Sequence, residues 1–209
     1  MKRTSNRLVQ LLCLMSFLLL LCACEKEKEW GTWMESGLEI DNEGHADMCI
    51  VDVFDKEIYD LKELESMAKT EVSDFIGGTV SEENASVSVK EVSRLENDRN
   101  QVRLVYHFEK PIFYMNFVDE KLYYETVEQA VTASHLSGNG VFFSNHDSIT
   151  LDDTHIKKLK RKHVIIKDSK TVIRPAYDVL YYSEGVVIRD DGAADTSQCE
   201  GLAVIILKK

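Results

Sequence analysis

Proline is scarce in this chain of 209 residues. Only Pro111 and Pro175 occur, and the ten glycines never cluster beyond the Gly77-Gly78 pair. No long Ser/Gly/Pro linker therefore divides the chain into separate domains, and no repeat of fixed period marks a solenoid or propeller. The sharp catalytic patterns are missing as well: there is no G-x-S-x-G, H-E-x-x-H, C-x-x-C or P-loop. Gly138-Asn139-Gly140 lacks the third glycine of a dinucleotide loop. Basic residues are few, 25 against 36 acids. That deficit argues against nucleic acid or anionic lipid as a partner, because both repel an acidic protein. Beyond the first 24 residues only two cysteines remain, Cys49 and Cys199. In an exported protein they can pair as one disulfide or stand as two small hydrophobes, and sequence spacing does not decide between the two.

What is present begins at the N-terminus. Lys2, Arg3 and Arg7 precede a 14-residue apolar run, Leu8 to Leu21, broken only by Gln10 and Ser16. That length suits a signal peptide and falls short of the roughly 20 residues a membrane span needs. The run closes with Leu21-Cys22-Ala23-Cys24, which resembles the lipobox of bacterial lipoproteins. The resemblance implies that the Cys24 thiol carries diacylglycerol and that cleavage removes residues 1–23. A thiolate is the nucleophile that such alkylation requires, and two acyl chains on one residue anchor stably where one does not. The leader holds three basic residues and no acid, so the remaining chain has 22 basic and 36 acidic residues, a net of −14. The reading is a signal peptide over 1–23, a tether over 24–34 beginning Glu25-Lys26-Glu27-Lys28-Glu29, and one extracytoplasmic domain over 35–209. A sub-division near residue 150 stays open.

The pattern within that domain predicts α+β architecture with mainly antiparallel sheet. "GLEIDNEGHADMCIVDVF" reads as a hairpin around Asp41-Asn42-Glu43-Gly44. A long amphipathic helix over about 60–77 follows, capped by Asp60 and Glu63. Its apolar face is Leu61, Leu64, Met67, Ala68, Val72, Phe75 and Ile76, and Gly77-Gly78 is expected to end it. "ASVSVKEVSRL" and "QVRLVYHFE" alternate with period two and form a second hairpin. Pro111 opens a short helix to about Phe117, "KLYY" is a strand, and Thr126 with Gln129 caps a helix over about 126–134. "GVFFS" is a further strand. From Lys157 onward the pattern is β, in the runs "RKHVIIKD", "KTVIRPAYDVLYYSE", "GVVIRD" and "GLAVIILKK".

The stretches "DNEGHADMCIVDVFDKEIYDLKELESM", "FVDEKLYYETVEQAV" and "EGLAVIIL" look like a group of uncharacterised lipoproteins from anaerobic Gram-positive bacteria. The likeness covers most of the chain after the leader. It implies location and fold, and carries no activity with it.

Three clusters offer chemistry. "SNHDSITLDDTH" gathers His146, Asp147, Asp152, Asp153 and His155, ligand types without ligand spacing, so no metal and no cofactor is expected. "PIFYMNFVDEKLYYE" is rich in aromatics. Phe113 and Phe117 lie four apart on one helical face, which turns Tyr114 away. Tyr123 and Tyr124 point to opposite sides of their strand. Tyr114 and one of Tyr123 and Tyr124 are therefore the expected exposed rings, suited to a sugar or a protein partner. "KKLKRKH", residues 157–163, is the one basic island, read as a solvated loop and strand edge or as a dock for the anionic envelope. Together these features predict a lipid-anchored protein on the outer face of the bacterial cytoplasmic membrane. Its diacylglycerol holds it there while it binds an envelope protein or glycan, without nucleic acid. The alternative is an envelope hydrolase whose site assembles only in three dimensions.

Overall fold

The computed structural model describes residues 27–56, 60–79, 86–98, 100–138, 140–144 and 147–209. Cys24 and the whole leader lie outside the described residues. The architecture is α+β, built on two largely antiparallel sheets. The first hairpin forms as expected from β1 (Gly37–Ile40) and β2 (Ala46–Val53). Helix α1 (Leu61–Thr79) follows, then the second hairpin, β3 (Val87–Arg94) and β4 (Gln101–Phe108). Next come α2 (Pro111–Val118), β5 (Leu122–Thr126) and α3 (Val127–Thr132). They are followed by β6 (Val141–Phe143), β7 (Ser148–Thr150), α4 (Asp153–Leu159) and β8 (His163–Lys167). Strands β9 (Val172–Pro175), β10 (Val179–Ser183), β11 (Val187–Ile188), β12 (Ala194–Asp195) and β13 (Ala203–Leu207) complete the fold.

Sheet I runs β11-β12-β9-β1-β2-β4-β3 and sheet II runs β5-β8-β13-β10-β6-β7. Each sheet mixes strands from both sides of residue 150. The β1–β9 pair is parallel, with Ile40 beside Pro175. The run "KTVIRPAYDVLYYSE" is two strands in different sheets. Pro175 ends β9 in sheet I, and after Ala176-Tyr177-Asp178 the chain enters sheet II as β10. Proline lacks the N–H that would continue the ladder.

The main core lies between the sheets. Leu38, Ile40, Leu104, Phe108 and Ile173 meet Leu122, Ile165, Ile205 and Leu207, with Ala68 and Val72 of α1 and Tyr114 of α2. Sheet II is buried on its other face as well, where Val164, Ile166, Val204 and Ile206 pack under Val127 and Ala130 of α3 and Leu159 of α4. Alternation along β8 and β13 sends successive residues to the two layers. These strands therefore read as unbroken aliphatic runs, the mark of a strand covered on both faces.

Four sequence expectations change. Helix α1 continues through both glycines to Thr79, because Gly77 does not adopt the left-handed conformation of a C-cap. Its buried stripe is narrower than expected: Ala68, Val72, Phe75 and Ile76 face the core, while Met67 is 63% exposed. In the island at 157–163 the β pattern begins only at His163: residues 157–159 end α4 and residues 160–162 form a turn. Asp152 caps α4 by accepting from the His155 amide at 2.8 Å, and Lys157 and Lys158 occupy the last turn, where the helix dipole favours cations. Finally, the segment expected as a free tether is docked from Lys28 onward. The Lys28 amide donates to the Ala176 carbonyl at 2.7 Å and the Trp30 indole to the Pro175 carbonyl at 3.1 Å. Trp33 is buried with Cys49 and Val105 on the outer face of sheet I. Arg174 stacks on Trp33 at 3.9 Å and donates to the Gly31 carbonyl, and Arg103 donates to the Trp33 carbonyl.

Candidate functional site

The aromatic stretch is largely packed against its neighbours, and Tyr114 is buried rather than exposed. Tyr114 is only 3% exposed, its ring packs edge-on against Phe108, and its hydroxyl donates to Glu120 at 2.7 Å. Burial, then the bond to Glu120, pushes the phenol well above its ordinary range. The expected exposure fails because α2 lies in the crevice between the sheets. A wide wedge of that helix is buried, including Phe113, Tyr114 and Phe117, while Ile112 faces out. Tyr123 and Tyr124 do point to opposite layers. Tyr123 stacks on His135 at 3.8 Å beside the α3–α4 layer, and Tyr124 stacks on His163 at 4.9 Å beside the main core. Tyr124 also presses on the β1–β2 turn. Its hydroxyl donates to the Asn42 carbonyl, and a Cβ on Gly44, which has φ +88°, would lie 2.6 Å from its ring.

Among the described residues the His/Asp stretch does not assemble into a ligand cluster. His146 lies outside the described residues. Asp147 accepts from Ser144 at 2.5 Å. Asp153 sits exposed in the first turn of α4. Asp152 is the cap of α4 and also holds the His155 imidazole at 2.7 Å. The His155 amide, then its ring, keeps the Asp152 carboxyl below its usual range. Cys49 and Cys199 are free, buried thiols in separate clusters, so no disulfide joins them. Burial pushes Cys49 up to about 12 and raises Cys199 too, which leaves both unreactive.

The fold instead builds a polar array that the sequence does not announce. Strand register sets a row across the outer face of sheet I: Arg174 on β9, Glu39 on β1, Asp47 on β2, His107 on β4 and Ser88 on β3. Asp47 accepts from the His107 Nδ1 at 2.6 Å and from Lys90. Glu39 is pushed above its usual range by burial and by Asp47 directly opposite. One step outward lie His45 and Glu109. Asp41 organises the turn, taking the Glu43 amide at 2.8 Å, the His45 amide at 2.9 Å and the His45 Nδ1 at 2.7 Å. With both Nδ1 atoms bonded to aspartates, both Nε2 atoms turn toward Glu109, and that of His45 also lies 3.7 Å from Glu43. Glu109 lies 3.6 Å from the Nε2 of His45 and 3.5 Å from that of His107. The two rings stand 5.8 Å apart. The Glu109 side chain is 51% exposed, so the array opens to solvent.

An aspartate that accepts from the Nδ1 of a histidine fixes the ring and leaves Nε2 to face a partner. The array can therefore receive a cationic group. Its donors are of metal-binding type, but among the described residues no three His, Cys, Asp or Glu side chains close into a coordination shell.

A second network is internal. Lys167 on β8 is wholly buried, and its ammonium donates to Glu120 at 2.7 Å and to Ser169, 5.1 Å from the Tyr114 ring. Ser169 donates to the same Glu120 oxygen at 2.8 Å. Burial raises the Glu120 pKa, but the three donors outweigh it and hold the carboxyl below its usual range. The arrangement satisfies a buried charge, as a buried lysine requires. Among the described residues no helix is long and apolar enough to cross a membrane. No protein-family model, curated protein or solved structure matches the chain.

Proposed function

We propose that the protein is a lipid-anchored extracytoplasmic binding module that takes a cationic segment of an envelope partner at the His45–His107–Glu109 array. The leader and Leu21-Cys22-Ala23-Cys24 support the anchor and the outer-face location. The observation that carries the binding role is the pair of imidazoles pinned through Nδ1, with one exposed carboxylate 3.6 Å and 3.5 Å from their Nε2 atoms. An exposed, preorganised polar array contributes little to stability and lowers the cost of ordering when a partner arrives.

Radiolabelled palmitate is expected to mark the wild type and not Cys24→Ser. Cross-linking in intact cells is expected to capture a partner with the wild type and to lose it in His45→Ala/His107→Ala. Label on Cys24→Ser, or capture unchanged by the double substitution, sinks the corresponding half of the proposal.

The rival reading, an envelope hydrolase, draws on the Lys167–Ser169 hydrogen bond, since such a pair serves as base and nucleophile in some hydrolases. Against it, Lys167 is sealed from solvent and bonded to Glu120, so its ammonium has a carboxylate rather than a substrate to serve. A serine-directed fluorophosphonate that modifies Ser169 would favour the hydrolase.

A further inference from the structure

We infer that the domain lies flush on the bilayer, with the surface formed by Lys28, Lys160, Arg161, Lys162, Lys208 and Lys209 apposed to anionic phospholipid headgroups. The inference rests on Cys24 being the lipid anchor. Chain length sets the geometry. Lys28 is fixed to Ala176 by its backbone, and only four residues lead from Cys24 to it. Fully extended, they reach about 14 Å. The domain therefore has no slack to stand clear of the headgroup layer, and the surface around Lys28 is the one brought to it.

That surface gathers six of the chain's cations, interrupted by Asp178 and Asp190, with the Lys209 ammonium donating to the Tyr177 hydroxyl. Lys28 pairs with Asp178 at 2.9 Å, and Lys208 pairs with the same carboxylate at 3.2 Å. Lys162 donates to the Lys208 carbonyl, and the His163 amide donates to the Lys209 carbonyl at 3.0 Å. Lys160 and Arg161 are exposed immediately before them. Lys28 and Lys208 also share a hollow of about 200 Å³ with Arg189 and Asp190, large enough to admit a phosphate group. The hollow lies toward the β11–β12 turn, on the other side of β9 from the acidic β1–β2 turn. The net charge of −14 is a sum over all of residues 24–209. Within a Debye length of about 8–10 Å, the headgroups meet the local charge of this surface, where Lys160, Arg161 and Lys162 stand beside the Lys28–Asp178–Lys208 pairs.

Amine footprinting of the purified lipoprotein tests this. The protein is compared in detergent, in phosphatidylcholine vesicles and in phosphatidylcholine vesicles containing phosphatidylglycerol. In the last, Lys28, Lys160, Lys162 and Lys208 are expected to acylate several-fold more slowly than in detergent. Lys62 and Lys69, exposed on α1, are expected to keep their rates. The variant Lys160→Glu/Arg161→Glu/Lys208→Glu is expected to stay membrane-bound, melt like the wild type and lose the protection at Lys28. So is a chain with a long Gly/Ser insertion after Cys24. Failure to incorporate palmitate overturns the anchor and this inference together. Palmitate incorporation with uniform lysine rates in all three media overturns the apposed surface alone.

Discussion

The two sheets treat their outer faces in opposite ways. Sheet II hides its outer face under α3 and α4, and its central strands carry aliphatic side chains on both sides. Sheet I leaves much of its outer face to charge: Arg174, Glu39, Asp47, His107, Arg103 and Glu91, roofed in part by Trp33. Sheet II is a frame whose central strands, β8 and β13, answer to packing on both faces. Sheet I packs with one face and presents chemistry with the other, and its tolerated tension, two acids opposed at Glu39 and Asp47, sits on the presented face.

The comparison breaks most visibly in sheet II. Ile205→Ala and Ile206→Ala point to opposite layers, and each is expected to cost about 2–5 kcal/mol in chemical denaturation. If either is mild, that face of the sheet is not a core. On sheet I, Trp33→Ala is expected to cost about 3 kcal/mol, since a buried indole and its stack on Arg174 are lost. A melt indistinguishable from wild type would make the segment a tether after all. The smallest effect carries the opposite sign. Burial and Asp47 raise the Glu39 carboxyl, so the folded protein holds that proton more tightly than the unfolded chain and ionised Glu39 opposes folding. Glu39→Gln is therefore expected to stabilise at pH 7, by less than about 1 kcal/mol. The gain should fade as pH falls through the carboxylate range, below about pH 4. Destabilisation at pH 7 would show that Glu39 is fully paired.

Most of the fold was legible because its signals are local. The hairpins, the Thr126–Gln129 capping box and the α2 start at Pro111 follow from neighbouring residues. What stayed hidden depended on distant partners. Tyr114 looked exposed because one helical face was assumed, whereas a helix wedged between two sheets buries more than one. Asp152 and His155 looked like ligands because a cap and a ligand use the same atoms. His107 and Asp47 are 60 residues apart and meet only through the β2–β4 register. Their outward parity on alternating strands was the available sign, and it names a partner only once pairing is known.

The crossing from β9 to β10 has a consequence in time. Lys28, Trp30 and β1 wait for residues 173–176, more than 130 positions later, before their contacts exist. The β1–β2 hairpin can close early, but its β9 edge stays unpaired while the intervening chain emerges. When β9 arrives it brings β10 with it, so sheets I and II finish in one late step. A chain wired this way folds slowly, because loop closure over such a span precedes any gain from the contacts.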